Sequence, residues 1–504
     1  MGNGETIIGI DIGTTSTKSV VFGKDGSMRG SFAVEYPLLQ ERPGWAEQEP
    51  EEIVRAVVGS VRGALERSGV GGKAVAAVGV SSAMHALIAV DAEGRPLTRS
   101  ITWADGRSER QARDIRKHPD GPGIFLRTGT PIHPMSPLPK LMWLQENRPD
   151  IWAKAARFVS IKEYVLFRLF GEWVVDSSMA SATGLLALDK LDWDDKALRM
   201  AGIDAGRLSA LKPGTYRLEG LNRELAEQMG LPADTPFYLG ASDGALANLG
   251  VGAVGPGDLA ITIGTSAAVR MMTDKPLTDA RQRTFCYSVA GSAYVIGGAT
   301  NNGAIVLQWM RNSLFAGEKT IEELLDAAAG VRAGAEGLLF LPFLSGERAP
   351  IYNAETRGTF FGAGLGHRRE HFVRAGLEGV LLAVLSVVEA LKDIGGEAAE
   401  IRASGGFAKS PLWRQMLADM LGREVGIPRV TEASALGAAM MALQGLGELA
   451  DLGAAKEWAP LAERLEPDMA ANAVYRELFG VYERLRDGLT DRFAEIAEFQ
   501  RKSR

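Results

Sequence analysis

The sequence predicts an α/β protein built from two related halves, each a sheet flanked by helices. Three observations carry this. β-branched runs alternate with segments of helical spacing along the first part of the chain. The segment Ile10-Asp11-Ile12-Gly13-Thr14 returns as Ile261-Thr262-Ile263-Gly264-Thr265, 251 positions later and close to half of the 504 residues. In both places a β-run enters Gly-Thr, passes through small residues and resumes as a β-run. Apolar residues make up 46% and charged residues 23%, the balance of a globular protein long enough for two large domains.

The elements follow in order. Thr6 to Thr15 is a β-branched strand closing in a Gly-Thr-Thr turn, Lys18 to Phe22 continues as its partner, and Lys24-Asp25-Gly26 reads as a hairpin turn. Glu49 to Glu66 places Ile53, Val57, Val61 and Leu65 on one helical face, with Pro50 in the first turn. Val75 to Ser82 and Ala86 to Val90 are short buried-type strands. Thr235 to Leu239 is another, followed by Gly240-Ala-Ser-Asp243-Gly244 as a turn and Ala245 to Leu249 as a helix. The boundary is expected between Gly240 and Gly257, giving domains over residues 1–244 and 245–504. The C-terminal stretch, rich in Ala, Glu and Leu, reads as terminal helices on the second half.

Several function classes are excluded. A net charge of −6 and a pI near 5.7 argue against a basic nucleic-acid surface. The single cysteine, Cys286, forms no intramolecular disulfide and reads as a small core residue. The five histidines show no zinc spacing; His367 and His371 lack the H-E-x-x-H frame. Gly250-Val-Gly252-Ala-Val-Gly255 matches G-x-G-x-x-G, but a helical pattern precedes it and a strand follows, the reverse of a dinucleotide site. No P-loop and no G-x-S-x-G elbow occurs. Met1 to Glu5 is polar, and the longest apolar stretch, Ala375 to Leu391, is interrupted by Glu378 and Glu389. A cytoplasmic enzyme without a membrane span is the expectation.

Three segments carry chemistry. Asp11-Ile-Gly-Thr-Thr-Ser-Thr-Lys18 places a carboxylate at the end of a buried strand, then a tight turn with hydroxyls. Such a turn aims N–H and O–H donors at a phosphate, and the carboxylate beside it can hold Mg²⁺. Asp243, at the expected boundary, can accept a hydroxyl proton during phosphoryl transfer. Ala403-Ser-Gly405-Gly406-Phe-Ala-Lys-Ser410 is a strand end, a Gly-Gly turn and a helix start, and paired glycines allow close approach to a flat or phosphorylated ligand.

Taken in order, these segments resemble the FGGY carbohydrate kinases of the actin-like ATPase superfamily, from Ile8 to about Gly447. Asp11 to Lys18 resembles the family's first phosphate loop and Ile263-Gly264-Thr265 its second. Gly405-Gly406 through Ser410 is similar to its adenosine loop, and Gly303 to Gln308 to the neighbouring nucleotide-binding helix. Met135-Ser-Pro137-Leu-Pro-Lys140-Leu-Met-Trp143-Leu-Gln-Glu146-Asn147 fits the first family signature. The second, around Gly358 to Glu378, fits in part, with Ala363 and Gly376 departing from it. Met84-His85, Thr102-Trp103-Ala-Asp105-Gly-Arg107, Pro131-Ile-His133-Pro and Gly346-Glu-Arg-Ala-Pro350 resemble the gluconokinase branch.

The resemblance implies two RNase H-like domains with ATP bound in the cleft between them. It implies transfer of the γ-phosphate to the terminal hydroxyl of a sugar acid, most simply gluconate. Asp243 is then the base and Asp11 organises Mg²⁺. Thr14, Thr15, Ser16, Lys18, Gly264 and Thr265 serve the phosphates. Gly303, Gln308, Gly405, Gly406 and Ser410 serve the nucleoside, although the family often has asparagine at the last position. Met84, His85, Trp103, Asp105 and Arg107 face the sugar. Arg107 either grips the substrate carboxylate or pairs with Asp105 or Glu109 and holds the loop. The partners implied are the sugar acid and ATP, with no nucleic acid and no membrane and a homodimer as the candidate assembly. The alternatives are a pentulose kinase acting on xylulose or ribulose, and a non-catalytic nucleotide-gated binding protein of the same superfamily.

Overall fold

The computed structural model describes residues 5–503; of the polar opening segment, all but Glu5 lies outside them. The chain divides into two compact units that do not follow one cut in the sequence. The first comprises Met1–Gly255, Met272–Ile296 and Glu432–Pro460; the second comprises Pro256–Met271, Gly297–Thr431 and Leu461–Arg504.

The first unit is built on strands β1 (Thr6–Ile12), β2 (Ser16–Gly23), β3 (Met28–Glu35), β4 (Val75–Ser82), β5 (Arg217–Leu218) and β6 (Phe237–Ser242), in the order β5-β6-β4-β1-β2-β3. β1 runs antiparallel to β2 and parallel to β4, and β6 runs parallel to β4. Ile8, Ile10 and Ile12 point into one core with Val57 and Val61 of helix α1 (Pro50–Ser68). The alternate face of β1 carries Ile7, Gly9 and Asp11. A helix from late in the chain (Ala433–Leu446) seats on that face. Its approach depends on glycine: a Cβ at Gly9 would lie 1.9 Å from the Ala435 carbonyl oxygen, and one at Gly79 1.9 Å from that of Ala438. Both faces of β1 are therefore covered, which is why it reads as an unbroken apolar run.

At the end of β6 the structure departs from the expected turn. Ser242 stays extended as the N-cap, and Asp243 opens helix α2 (Asp243–Gly250). An aspartate in the first turn is favoured by the exposed N–H groups and the helix dipole.

The second unit repeats the plan. Strands β7 (Leu259–Ile263) and β8 (Ala267–Thr273) form an antiparallel hairpin, and β7 runs parallel to β9 (Ile401–Ser404). Next come β10 (Val425–Pro428), parallel to β9, and the antiparallel edge strand β11 (Leu461–Leu465), which sequence pattern did not predict. Terminal helices at Met469–Gly488 and Thr490–Lys502 follow, as expected. The long apolar stretch belongs to helix α3 (Arg369–Gly395), long and apolar enough to span a membrane but with 83% of that window buried in protein. Its Glu378 accepts at Oε1 from Arg374 Nε at 2.8 Å and from the Gly334 N–H at 2.9 Å, so this interrupting charge is paired inside the core, while its buried Oε2 has no hydrogen-bond partner. Cys286 is buried, and burial pushes its thiol up to about 12, as an inert core residue requires.

Candidate active site

The carboxyl ends of three neighbouring parallel strands meet at one place, where open α/β sheets put their ligands. Asp11 on β1 lies level with Ser81 on β4, and β6 ends level with Ser82 just before Asp243. The Ser81 hydroxyl donates to Asp11 Oδ1 at 2.9 Å. Burial, then the Asp243 carboxylate, push the Asp11 carboxyl up to about 7; Glu432 adds to the rise, while Ser81 and Lys18 oppose it. Lys18 lies across from Asp11 on β2 and donates to Glu432 Oε1 and Oε2 at 2.9 and 3.1 Å. Lys18 therefore has a protein partner that sequence reasoning did not identify.

The turn between β1 and β2 has all four of its carbonyls engaged by protein donors. The carbonyl of Gly13 accepts from Tyr36 O–H at 2.7 Å, that of Thr14 from Gln48 Nε2 at 2.5 Å, that of Thr15 from the Tyr36 N–H at 3.1 Å and that of Ser16 from the Gly13 N–H at 3.0 Å. With its acceptors turned inward, what the turn can offer an anion is N–H and hydroxyl, the chemistry of a phosphate cradle. Thr15 is exposed, and Thr14 and Ser16 are half-buried.

The loops expected to face a sugar are tied together from below by Lys140. Fully buried, its ammonium donates to the carbonyls of His85 (2.6 Å), Thr102 (2.7 Å), Met135 (2.8 Å) and Ile101 (3.2 Å). Burial pulls it down to about 7, against the opposing pull of Asp105. His85 holds a left-handed backbone at φ 68°, and its Nδ1 sits 2.7 Å from the Ala182 carbonyl, which can only accept, so that nitrogen carries a proton. Met84 is half-buried beside it. Trp103 Nε1–H donates to Thr14 Oγ1 at 2.8 Å.

Of the two readings of Arg107, the geometry favours the second. Its guanidinium, 4% exposed, donates to Asp105 through Nε (2.8 Å) and Nη2 (2.7 Å) and to Glu47 (2.7 Å), and lies 3.5 Å from the Trp45 ring centroid. Asp105 is equally committed, accepting also from the N–H groups of Ala46 and Arg107.

In the second unit the turn Gly264-Thr265-Ser266 is built alike. The Ala304 N–H donates to the Gly264 carbonyl (2.7 Å), the Gly303 N–H to that of Thr265 (3.0 Å) and the Gly264 N–H to that of Ser266 (2.9 Å). Gly405 adopts φ 106°, and a Cβ there would lie 2.4 Å from the Ile263 carbonyl oxygen, so only glycine lets this strand end pass under the turn. Beside it is a cavity of about 320 Å³ lined by Thr265, Gln308, Gly406 and Ser410, with Ile305, Ile321, Leu325 and Trp413 as apolar wall. Ser410 also caps the following helix (Pro411–Leu421), accepting from the Trp413 N–H at 3.2 Å. Tyr36, Gln48 and Glu432 support these sites without belonging to any motif.

Two sheets, each opened by a hairpin whose turn presents donors and flanked by a parallel third strand, define a phosphate-binding fold of the actin-like ATPase class. A solved gluconate kinase from Lactobacillus acidophilus superposes with a TM-score of 0.94 at 35% identity, covering 97% of this chain and 99% of that one. A ligand-bound xylulose kinase from the same organism superposes equally well, with the same identity and coverage. The chain is 43% identical to a gluconokinase of Bacillus subtilis (strain 168) over 98% of each. It belongs to the FGGY family of carbohydrate kinases, whose N-terminal domain matches residues 6–250 and C-terminal domain residues 259–446. The protein is therefore a sugar-directed phosphotransferase, with ATP as the donor its family implies.

Proposed function

We propose that the chain transfers the γ-phosphate of ATP to the terminal hydroxyl of D-gluconate, giving 6-phosphogluconate and ADP. The observation that carries the reading is the pair Asp11 and Asp243 at the ends of β1 and β6, the two strands that flank β4, beside a turn whose carbonyls are all engaged by protein donors. Asp243 accepts the hydroxyl proton as the sugar oxygen bonds to the γ-phosphorus; the bond from phosphorus to the β,γ-bridging oxygen breaks, and its electron pair leaves with ADP. Thr14, Thr15, Ser16, Gly264 and Thr265 offer donors to the phosphates. Gly303, Gln308, Gly405, Gly406 and Ser410 border the nucleoside, with the apolar wall against the base.

Mg²⁺ fits this donor set. Among the described residues no group of three or more His, Cys, Asp or Glu side chains could hold a metal. Magnesium, however, commonly takes one or two carboxylates together with substrate phosphates and water. Asp11, raised first by burial and then by a neighbouring carboxylate, is the residue a cation would relieve. When bound, the ion would supply charge neutralisation to the phosphates.

The likeness to a gluconokinase at 43% identity supports gluconate over a pentulose. The equal likeness to a structure named xylulose kinase favours keeping a pentulose kinase as the second reading. On the sugar side we assign Met84, His85 and Trp103 to substrate contact and Asp105 and Arg107 to holding their loop. The compartment we propose is the cytoplasm, where ATP is available. The test is a panel of gluconate, xylulose and ribulose scored by kcat/KM. Gluconate is expected to exceed xylulose by about 10²-fold or more, as a polar site rejects a substrate lacking its partner group. Comparable values would move the assignment to the second reading. Arg107→Ala is expected to lower both activities with their ratio unchanged; a shrunken ratio would return Arg107 to the substrate carboxylate.

A further inference from the structure

Trp103 stands where the loop proposed to face the sugar meets the first phosphate turn. Its indole N–H donates to Thr14 Oγ1 at 2.8 Å. An indole nitrogen only donates, so the Thr14 oxygen accepts here and its own proton has to point elsewhere. The carbonyls of the turn are taken: Gln48 holds that of Thr14, and Tyr36 holds those of Gly13 and Thr15. The hydroxyl proton is left to donate outward, to an acceptor such as a phosphate oxygen. The root of Trp103 is fixed on both sides. Before it, Thr102 donates through N–H (3.0 Å) and Oγ1 (2.9 Å) to the Ala46 carbonyl, and its own carbonyl accepts from Lys140. After it, Asp105 is locked by Arg107 and the Ala46 N–H. A rigidly rooted indole is a precise donor.

We infer that Trp103 is a positioning residue for phosphoryl transfer: by donating to Thr14 Oγ1 it turns the Thr14 hydroxyl into a donor aimed at the transferring phosphate, and so ties seating of the sugar to alignment of the phosphate. This rests on reading Gly13 to Ser16 as a phosphate turn and Trp103 as a sugar contact, and the test separates the two layers.

The experiment is a double-mutant cycle on the full chain with ATP, Mg²⁺ and the sugar preferred in the panel. Trp103→Phe keeps a ring and removes the N–H; kcat is expected to fall about tenfold, the scale of one hydrogen bond to a charged group, with the KM for ATP within about twofold. Thr14→Ser keeps the oxygen and is expected to stay within about threefold of the parent, whereas Thr14→Val is expected to lose about tenfold or more. The decisive value is the double variant. Added to Thr14→Val, Trp103→Phe is expected to change kcat by less than about twofold, because the hydroxyl it orients is gone. Additive losses would overturn the inference and reduce Trp103 to packing or sugar contact alone. A Thr14→Val enzyme with parental kcat would remove the phosphate-turn reading itself, a different failure from additivity. A far-UV circular dichroism spectrum and a Tm matching the parent's in each variant show that a kcat loss is not unfolding, which would lower kcat per total enzyme while leaving KM unchanged.

Discussion

The two hairpins that open the two sheets are built to one plan and differ in what they carry. Asp11 on β1 lies level with Ser81 on the parallel neighbour and accepts from its hydroxyl. The equivalent position on β7 is Thr262, level with Ser404 on its parallel neighbour, the two hydroxyls 3.4 Å apart. A carboxylate in one half is thus a neutral hydroxyl in the other. The turns are tied differently too. Between the pairs Ile12–Thr17 and Ile263–Ala267, the first turn has one residue more, and side chains reach it from Tyr36, Gln48 and Trp103. The second is clamped by main-chain N–H groups of Gly303 and Ala304. Main-chain clamps fix the shape of a turn independently of side-chain rotamers, whereas a turn held by side chains can respond when those side chains move. The difference agrees with the proposed division of labour, in which charge and proton transfer are assigned to the first half and nucleotide grip to the second.

The largest way to break that division is at Asp243. Asp243→Asn keeps shape and helix position but cannot take the proton. We expect kcat to fall by about 10²-fold or more while the KM for ATP stays within about twofold. Steady-state kinetics with both substrates varied checks this; a near-parental kcat would place the base elsewhere.

The converse test lies in the second half. Gly405→Ala would put a methyl 2.4 Å from the Ile263 carbonyl at φ 106°, displacing the strand end beneath the turn. The expected result is a KM for ATP raised by about tenfold with kcat at saturation within about threefold, since the substitution disturbs binding of ground and transition state alike. A loss confined to kcat would mean that the second turn also shapes the reaction.

The fold was readable because its signals are local. β1 and β7 announce themselves as β-branched runs into Gly-Thr, and α1 by four apolar residues at helical spacing. Asp11, Asp243 and the Gly405-Gly406 turn were visible for the same reason. Glu432 was not, because it meets Lys18 across 414 positions and its neighbours form no motif. Tyr36 acts through its O–H and its main-chain N–H and Gln48 through one side-chain amide, which leave no pattern. The segments at 272–296 and 432–460 join the first unit through packing such as Ala435 over Gly9, information that lies in close approach rather than in any period along the chain. Arg107 shows a third limit. Its chemistry suits an external carboxylate and an internal one equally, and only the positions of Asp105 and Glu47 separate the two.

The smallest expected effect isolates the charge itself. Asp11 has a folded-state value of about 7 against an ordinary carboxylate value of 3.8. The folded state therefore holds the proton more tightly than the unfolded chain, and as pH rises through that window stability is lost. Below about pH 4 both states are protonated and no penalty exists; above about pH 7 both are ionised and the full penalty applies. Asp11→Asn removes the charge without changing the shape, so the ligand-free variant should be more stable than the parent above pH 7 and indistinguishable from it near pH 4. After allowance for solvent screening the gain is of order 1–3 kcal/mol, and each kcal/mol raises Tm by about 2–4 °C in a domain of 150–250 residues. Thermal melts across pH 4–8 check the sign. The second hairpin, with Thr262 at this position, carries no such cost, and Thr262→Asn should show no comparable pH dependence. If Asp11→Asn destabilised the protein at pH 8, the carboxylate would be a net structural asset, and the contrast between a charged, reactive hairpin and a neutral, gripping one would fail at its root.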